Sequence, residues 1–139
     1  MKEVKIGNQT WMAENLNVND GGEGIYVNPK NGETYYTWEA AKRVAKSIEG
    51  WHLPSKEEWK TFTKNINENL FKKSFNALLV GVRYCDGSFG DMGFDTYFWS
   101  NTGYDSNYAY NICFNCKFVS AHIDIYSKNF GFSIRLVKD

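Results

Sequence analysis

The fold class is decided by a stretch in which two kinds of side chain alternate, Asn107-Tyr108-Ala109-Tyr110-Asn111-Ile112-Cys113-Phe114-Asn115. Large apolar side chains from Tyr108 to Phe114 occupy every second position, which is the period of a half-buried β-strand. The same period recurs over residues 119–126, with apolar side chains from Val119 to Ile125. We therefore predict that the C-terminal half is an antiparallel meander. Its other predicted strands are residues 78–84, 96–100 and 131–137.

Upstream of the meander, apolar side chains recur at helical spacing. These apolar side chains begin after a predicted N-cap at Thr37 and continue to Ile48, and Gly50 follows them. We therefore predict a helix over residues 38–49. Closer to the N-terminus, residues 5–12 have the pattern of a short hairpin with a turn at Gly7-Asn8.

A second helix is predicted after Pro54. Ser55 and Glu58 have the spacing of a capping box, in which each side chain accepts a hydrogen bond from the other residue's backbone N–H. This helix is predicted to end at about Asn67, and residues 68–76 are compatible with one more helical turn. Helices followed by strands, without βαβ alternation, predict an α+β fold.

Length and charge narrow the classes of protein to which the chain can belong. The 139 residues are predicted to form a single domain, residues 1–139, and 16 basic residues balance 16 acidic ones. A neutral chain lacks the positive surface typical of nucleic-acid binders, and no apolar run reaches the roughly 18 residues of a membrane span. We therefore expect no nucleic-acid partner and no membrane insertion. The chain also begins without an apolar signal segment.

The composition changes sharply toward the C-terminus. Glu68 is the last glutamate, and residues 101–127 contain no Glu, Gln, Met or Trp and a single lysine, Lys117. A solvated surface normally mixes lysine and glutamate. This segment consists largely of Asn, Tyr, Ser, Asp, Cys, His and Ile, and tyrosine-rich surfaces are well suited to binding.

Several blocks of the sequence resemble the Fibrobacter succinogenes major paralogous domain. They occur in that family's order and cover nearly the whole chain. They are Ile6-Gly7-Asn8-Gln9-Thr10-Trp11-Met12-Ala13-Glu14-Asn15-Leu16-Asn17, Tyr36-Thr37-Trp38-Glu39-Ala40-Ala41, Gly50-Trp51-His52-Leu53-Pro54-Ser55-Lys56-Glu57-Glu58-Trp59, Phe98-Trp99-Ser100-Asn101-Thr102 and Asn129-Phe130-Gly131-Phe132-Ser133-Ile134-Arg135-Leu136-Val137-Lys138-Asp139.

The resemblance implies a C-type-lectin-like fold related to the formylglycine-generating enzymes, with two helices packed on a small, mostly antiparallel sheet. It also implies a location outside the cell, on a cell surface or on a phage virion. The same fold carries the variable proteins of diversity-generating retroelements, in which adenine-directed mutagenesis rewrites a C-terminal stretch. Mutating the adenines of an Asn codon yields Tyr, Ser, Asp, His, Ile, Cys or Phe, and never Glu, Gln, Lys, Met or Trp. Residues 101–127 follow this rule except at Lys117.

Two cysteines form the pattern Cys113-Phe114-Asn115-Cys116. A redox CxxC normally begins a helix, where the helix dipole lowers the thiol pKa, but this one lies in a strand-like segment. With His122 and Asp124 nearby in sequence a zinc site is conceivable, but a lone CxxC is a weak signal and free thiols are the preferred interpretation. The EF-hand spacing and the calcium signatures of sugar-binding C-type lectins are absent, and we expect no metal and no cofactor.

Outside this segment the sequence mainly indicates structural roles. The five tryptophans are expected in the core, because each lies in a family block and at an apolar periodic position. His52 is expected to pack and to form hydrogen bonds. Arg135 is expected to pair with a carboxylate or a backbone carbonyl.

We therefore expect a non-enzymatic, receptor-like or adhesin-like binding domain whose recognition surface lies within residues 101–130. Its partner would be a protein or a glycan on a cell surface. The alternatives are a metal- or thiol-dependent enzyme that uses Cys113, Cys116 and His122, and a structural module of a bacterial surface or phage tail protein. The predicted ligand-binding residues are Tyr104, Asn107, Tyr108, Asn111, Asn115, His122, Asp124 and Tyr126.

Overall fold

The computed structural model describes residues 2–115 and 121–139, which form helices and short strands in an α+β arrangement. The helices are α1 (Trp38–Lys46), α2 (Lys56–Asn65) and α3 (Glu68–Leu70), and a π-helical turn (Phe71–Phe75) follows α3 directly. The strands are β1 (Glu3–Ile6), β2 (Gln9–Met12), β3 (Ile25–Val27), β4 (Thr34–Tyr36), β5 (Trp51–His52), β6 (Val82–Arg83), β7 (Phe89–Gly90), β8 (Asp95–Gly103), β9 (Tyr108–Asn115), β10 (Ala121–Ser127) and β11 (Val137–Lys138).

The described strands form four small antiparallel sheets. One sheet has the order β1-β2-β11-β5 and joins the two ends of the described chain, while a second has the order β10-β9-β8. The pairs β3-β4 and β6-β7 complete the set. A parallel bridge between Phe98 of β8 and Ser133 connects the second sheet to the segment that leads into β11. The predicted α+β class is therefore confirmed.

Both predicted longer helices are present with their predicted N-caps. The Thr37 side chain accepts from the N–H of Ala40, and the Ser55–Glu58 capping box is complete. Both helices end earlier than predicted. The N–H groups of Ser47 and Ile48 bond to carbonyls three residues back, which tightens the chain after Lys46.

The predicted strand over residues 78–84 is largely wrong, because only Val82–Arg83 pairs as a strand. Gly81 has φ +74°, a left-handed conformation that breaks an extended run, and it approaches β7 closely. The predicted strand over residues 131–137 is also interrupted. Residues 131–133 form isolated bridges, and regular pairing resumes only at Val137.

Aromatic rings fill the core around α2. Trp59 is fully buried, with ring centroids 4.6 Å from Trp11 and 5.7 Å from Phe98. Such ring pairs add stabilisation beyond the area they bury. Trp38 and Trp99 are buried in the neighbouring cluster. The prediction of core tryptophans is thus confirmed for four of the five. The remaining one, Trp51, is half-buried on β5.

A buried arginine connects distant parts of the chain. The Arg135 guanidinium donates to the Asn15 side-chain oxygen at 2.6 Å and to the backbone carbonyls of Met12, Phe75 and Asn76. Burial lowers the pKa of Arg135 to about 9, against the opposing influence of the Glu14 and Glu33 carboxylates. The predicted backbone-carbonyl partner is confirmed, and an amide oxygen stands in place of a carboxylate.

Candidate functional site

The sheet β10-β9-β8 carries most of the predicted binding residues. Cys113 lies opposite Tyr97 on one neighbouring strand and opposite His122 on the other. Because successive side chains of a strand point to opposite faces, these three belong to one face, which we call the His122 face. By the same register the His122 face comprises Asp95, Tyr97, Trp99, Ala109, Asn111, Cys113, Asn115, His122, Asp124 and Tyr126.

The opposite face of this sheet is part of the core. Phe98, Ile112 and Phe114 have no exposed surface, and the Phe114 ring centroid lies 6.2 Å from that of Trp59. Truncation of such a side chain to alanine typically costs 3–5 kcal/mol. The strands are thereby fixed from one side. On the His122 face Tyr97 and Trp99 are buried as well, so only the part of that face at β10 can present side chains without carrying the fold.

The His122 face is open at β10 and covered by Phe132, which packs on Tyr97, Trp99 and Tyr126. His122 and Asp124 are exposed, as predicted, on a strand that stands at one edge of the sheet. Tyr126 is only partly exposed. Its ring packs at 5.9 Å from Tyr97 and 5.7 Å from Phe132, so part of it belongs to the core. Asn115 is partly exposed at the end of β9.

Asn111 is a correction to the predicted site. The sequence pattern placed it on the surface, but its side chain is 1% exposed. Its Nδ2 donates to the backbone carbonyl of Asp124 at 3.3 Å, and its Oδ1 has no hydrogen-bond partner. The reason is that Trp99, its neighbour on β8, is itself in the core, so this part of the face is covered.

Three predicted residues lie in a second region, at the turn between β8 and β9. Tyr104 and Tyr108 are 56% and 42% exposed, and Asn107 is also exposed. The Asp105 carboxylate fixes this turn by accepting from the N–H groups of Asn107 and Tyr108. The ring of Tyr110 lies 5.8 Å from that of Tyr104, edge to face. The eight predicted residues are therefore divided three ways. Four lie on the His122 face with at least part of their surface exposed, three lie at the exposed turn between β8 and β9, and Asn111 is buried.

Carboxylates surround the open part of the His122 face. The hydroxyl of Tyr97 donates to Asp91 at 3.4 Å, and Asp95 begins β8 opposite Asn115. Burial raises the pKa of Asp95, and the negative charge of Asp91 raises it further. Asp91 and Asp95 were not predicted as site residues. The aspartates at positions 86, 91 and 95 lack the spacing of an EF-hand loop, and no sequence signal placed them beside β9.

Cys113 lies at the centre of this charge distribution. Burial raises the pKa of its thiol to about 11, and the nearby Asp95 carboxylate acts in the same direction. Hydrogen bonding with the Tyr97 side chain opposes this rise in the pKa. The uncharged thiol is therefore the dominant form at neutral pH.

The structure describes only the first cysteine of the predicted CxxC. Cys113 is a free cysteine on β9, whereas Cys116 and the predicted strand positions Val119 and Ser120 lie outside the described residues. Across residues 2–115 and 121–139, no three His, Cys, Asp or Glu side chains are grouped so that they could hold a metal ion.

Other features of the surface lie apart from this sheet. A cavity of about 270 Å³ is lined by Glu14, Glu33 and Arg135, among others. His52 fulfils its predicted hydrogen-bonding role by bridging Glu58 and Asp139. In the described part of the chain, no helix has the length and apolar character needed to cross a membrane.

These features define a small α+β protein with exposed polar side chains on the edge strand β10. Residues 10–79 match the model of a family described as a domain of unknown function, DUF8237, and the chain belongs to that family. The matched range includes α1 and α2 and ends before β8. No curated protein and no solved structure matches the chain.

Proposed function

We propose that this chain is a non-enzymatic binding domain with a C-type-lectin-like fold, of the kind found in the Fibrobacter succinogenes major paralogous domains. Its recognition surface comprises the open part of the His122 face and the Tyr104–Tyr108 turn. The observation that carries this proposal is that β8 and β9 pack Phe98, Ile112 and Phe114 into the core, while the edge strand β10 and the turn between β8 and β9 expose polar and aromatic side chains.

The exposed side chains have the chemistry of a protein or glycan contact surface. Tyrosine contributes a large contact area at low cost in conformational entropy, and it retains a hydroxyl for hydrogen bonding. Tyr104 and Tyr108 present such rings, and His122 and Asp124 add polar groups on an adjacent strand. Sequence change in these positions is compatible with the fold because the buried face and the helices stabilise it.

The composition of residues 101–127 further supports diversification by a retroelement. The exposed members of this segment are residue types that adenine substitution in an Asn codon can produce. The DNA that flanks the coding region tests this part. A reverse-transcriptase gene and an imperfect repeat of the 3′ coding region that differs at adenines would support it, and a locus without such a repeat would overturn it.

An enzyme that uses Cys113 is the main alternative. The raised pKa of this thiol disfavours the thiolate that nucleophilic or metal chemistry requires. Metal analysis of the purified protein, with Cys113→Ser as the matched variant, separates the two functions. Stoichiometric zinc or copper that is lost in the variant would overturn the binding-only function.

Binding itself is tested with a panel of cell-surface proteins and glycans. We expect at least one ligand whose affinity falls about tenfold or more in Tyr108→Ala or His122→Ala, because central contact residues contribute well over 1 kcal/mol. Val27→Ala and Leu78→Ala are matched controls, since both remove exposed apolar side chains outside the proposed surface. Ligands that respond equally to surface and control variants would contradict the proposal.

A further inference from the structure

A cavity of about 270 Å³ lies between the segment that follows β2, the β3–β4 turn and the segment after the π-helical turn. Most of its lining residues are polar, and they include one cation, Arg135, and two carboxylates, Glu14 and Glu33. Its volume is below the roughly 300–1,000 Å³ of sites for drug-sized ligands, so it suits a smaller molecule. None of its lining residues belongs to the recognition surface proposed above.

The guanidinium of Arg135 turns one edge toward this cavity. Its Nε donates to Asn15 and its Nη2 donates to the Asn76 carbonyl at 3.2 Å, and both acceptor residues line the cavity. Nη1 instead donates to Met12 and Phe75, which are core residues. A guanidinium has five N–H groups, so these four bonds leave one N–H of Nη2 without a partner among the described residues. The Nε–Nη2 edge has the parallel donors that match a carboxylate.

The positive charge of Arg135 has no direct counter-charge. Its side chain is 2% exposed, and all four acceptors are neutral oxygens. Within residues 2–115 and 121–139, neither Arg135 nor the partly exposed Glu33 forms an ion pair. The burial of a charge that lacks a charged partner is costly.

Asn15 holds these two opposite charges apart. Its Oδ1 accepts from Arg135 at 2.6 Å, and its Nδ2 donates to a Glu33 carboxylate oxygen at 3.4 Å. The second carboxylate of the cavity, Glu14, already has a counter-charge in Lys2 at 3.6 Å. The lining therefore offers one unneutralised positive group and one unneutralised negative group, separated by the width of an amide.

An exposed apolar side chain completes the lining. Leu78 contributes to the cavity and is 58% exposed, although leucine is usually buried. A ligand with a carboxylate, an ammonium group and a short apolar group would complement all three kinds of lining group.

From this arrangement we infer that the cavity binds a small zwitterion, a free amino acid with an apolar side chain. Its carboxylate would lie at the Nε–Nη2 edge of Arg135, its ammonium group at Glu33, and its side chain against Leu78. This second site goes beyond the proposed recognition function and does not depend on it.

The probes are L-alanine, L-valine and L-leucine, and the readout is the backbone amide shifts of the purified protein at neutral pH. We expect at least one of them to shift residues 13–17, 32–34 and 76–78. If none of the three shifts these residues, or if the shifts are confined to other surfaces, the inference is overturned.

Two leucine analogues test each charged contact without any change to the protein. 4-Methylpentanoate lacks the ammonium group, and 3-methylbutylamine lacks the carboxylate. Each should bind at least about tenfold more weakly than leucine, because each leaves one charge of the cavity unmatched. An analogue that binds as tightly as leucine would overturn the inference, and this result does not depend on whether an Arg135 variant folds.

Glu33→Gln tests the ammonium contact from the side of the protein. It keeps an acceptor for Asn15 but removes the charge, so leucine binding should weaken about fivefold. Glu49→Gln removes one exposed charge beyond α1 and should leave binding unchanged. Equal affinity in these two variants would contradict the inference. Tyr108→Ala and His122→Ala should also leave leucine binding unchanged, so the failure of this site and the failure of the recognition surface are separate results.

Discussion

Asn111 shows how one residue can follow a surface pattern and still be buried. It has the polarity and the spacing of an outward side chain, and it does belong to the His122 face. However, one neighbour on that face is Trp99, which packs into the core. Strand periodicity assigns a residue to a face, but it does not reveal which part of the face is covered.

Gly81 is a residue at which the close approach of two backbones requires glycine. A Cβ at this position would lie 2.0 Å from the Gly90 carbonyl oxygen, and φ is already +74°. We expect Gly81→Ala to lower the free energy of unfolding by at least about 2 kcal/mol, measured by urea denaturation.

Gly93 supplies the matched control for this prediction. It has φ +83°, but a Cβ there would meet no atom within 4 Å. Gly93→Ala should therefore cost only the left-handed conformation, about 1 kcal/mol. If both variants lower the free energy of unfolding by the same amount, the close approach of Gly81 to Gly90 is not the cause of the loss.

At the scale of elements, His52 connects α2 to Asp139, and Glu58 extends this network to β2. Its Nδ1 lies 2.6 Å from an Asp139 carboxylate oxygen, and its Nε2 lies 2.9 Å from a Glu58 oxygen in the first turn of α2. Gln9 of β2 also donates to Glu58. Burial by itself would lower the pKa of His52, but the hydrogen bonds to Asp139 and Glu58 outweigh burial and raise it.

This arrangement predicts pH-dependent stability. Because the pKa of His52 is higher in the folded state than its ordinary value of 6.5, the imidazolium contribution is complete below that value and is lost as pH rises through the folded-state pKa. His52→Gln should thus reduce the free energy of unfolding more at about pH 5.5 than at about pH 8.5. Urea denaturation at both values measures the difference.

His122→Gln controls for the loss of an imidazole, since the chain has only these two histidines. A loss of stability in His52→Gln that is the same at both pH values would show that the bridge to Glu58 and Asp139 acts through packing and not through charge.

At the scale of the whole molecule, the scaffold and the proposed surface are separable. Phe114 and His122 belong to adjacent strands of one sheet, but the first is fully buried and the second is exposed. Stability should therefore respond to substitution of the buried side chains of this sheet, and ligand binding should respond to substitution of the exposed ones.

This separation is testable without knowledge of the ligand. Alanine at Tyr104, Asn107 or His122 should change the free energy of unfolding by no more than about 0.5 kcal/mol each. Phe114→Ala should cost about 3–5 kcal/mol. Denaturant titration of each variant measures both expectations, and a large loss at the exposed positions would mean that they support the fold.

Much of the local structure could be predicted from the sequence. The N-caps Thr37 and Ser55, the Gly7-Asn8 hairpin and the alternation over β9 are local signals, because a cap or a strand period depends on neighbours a few residues away. The interruption at Gly81 could not be predicted in this way. It depends on contact with Gly90, on the neighbouring strand β7.

The sequence by itself determined the α+β class, both longer helices and the hairpin of β1 and β2. It also determined the composition of residues 101–127, which is rich in Asn and Tyr and suited to binding. Only the tertiary structure decided which of those side chains are exposed and that Asn111 is buried. It also brought Asp91 and Asp95 beside β9 and β10. The physical reason is that periodicity records the local direction of side chains. Burial and electrostatic coupling depend instead on strand pairing between residues far apart in the chain.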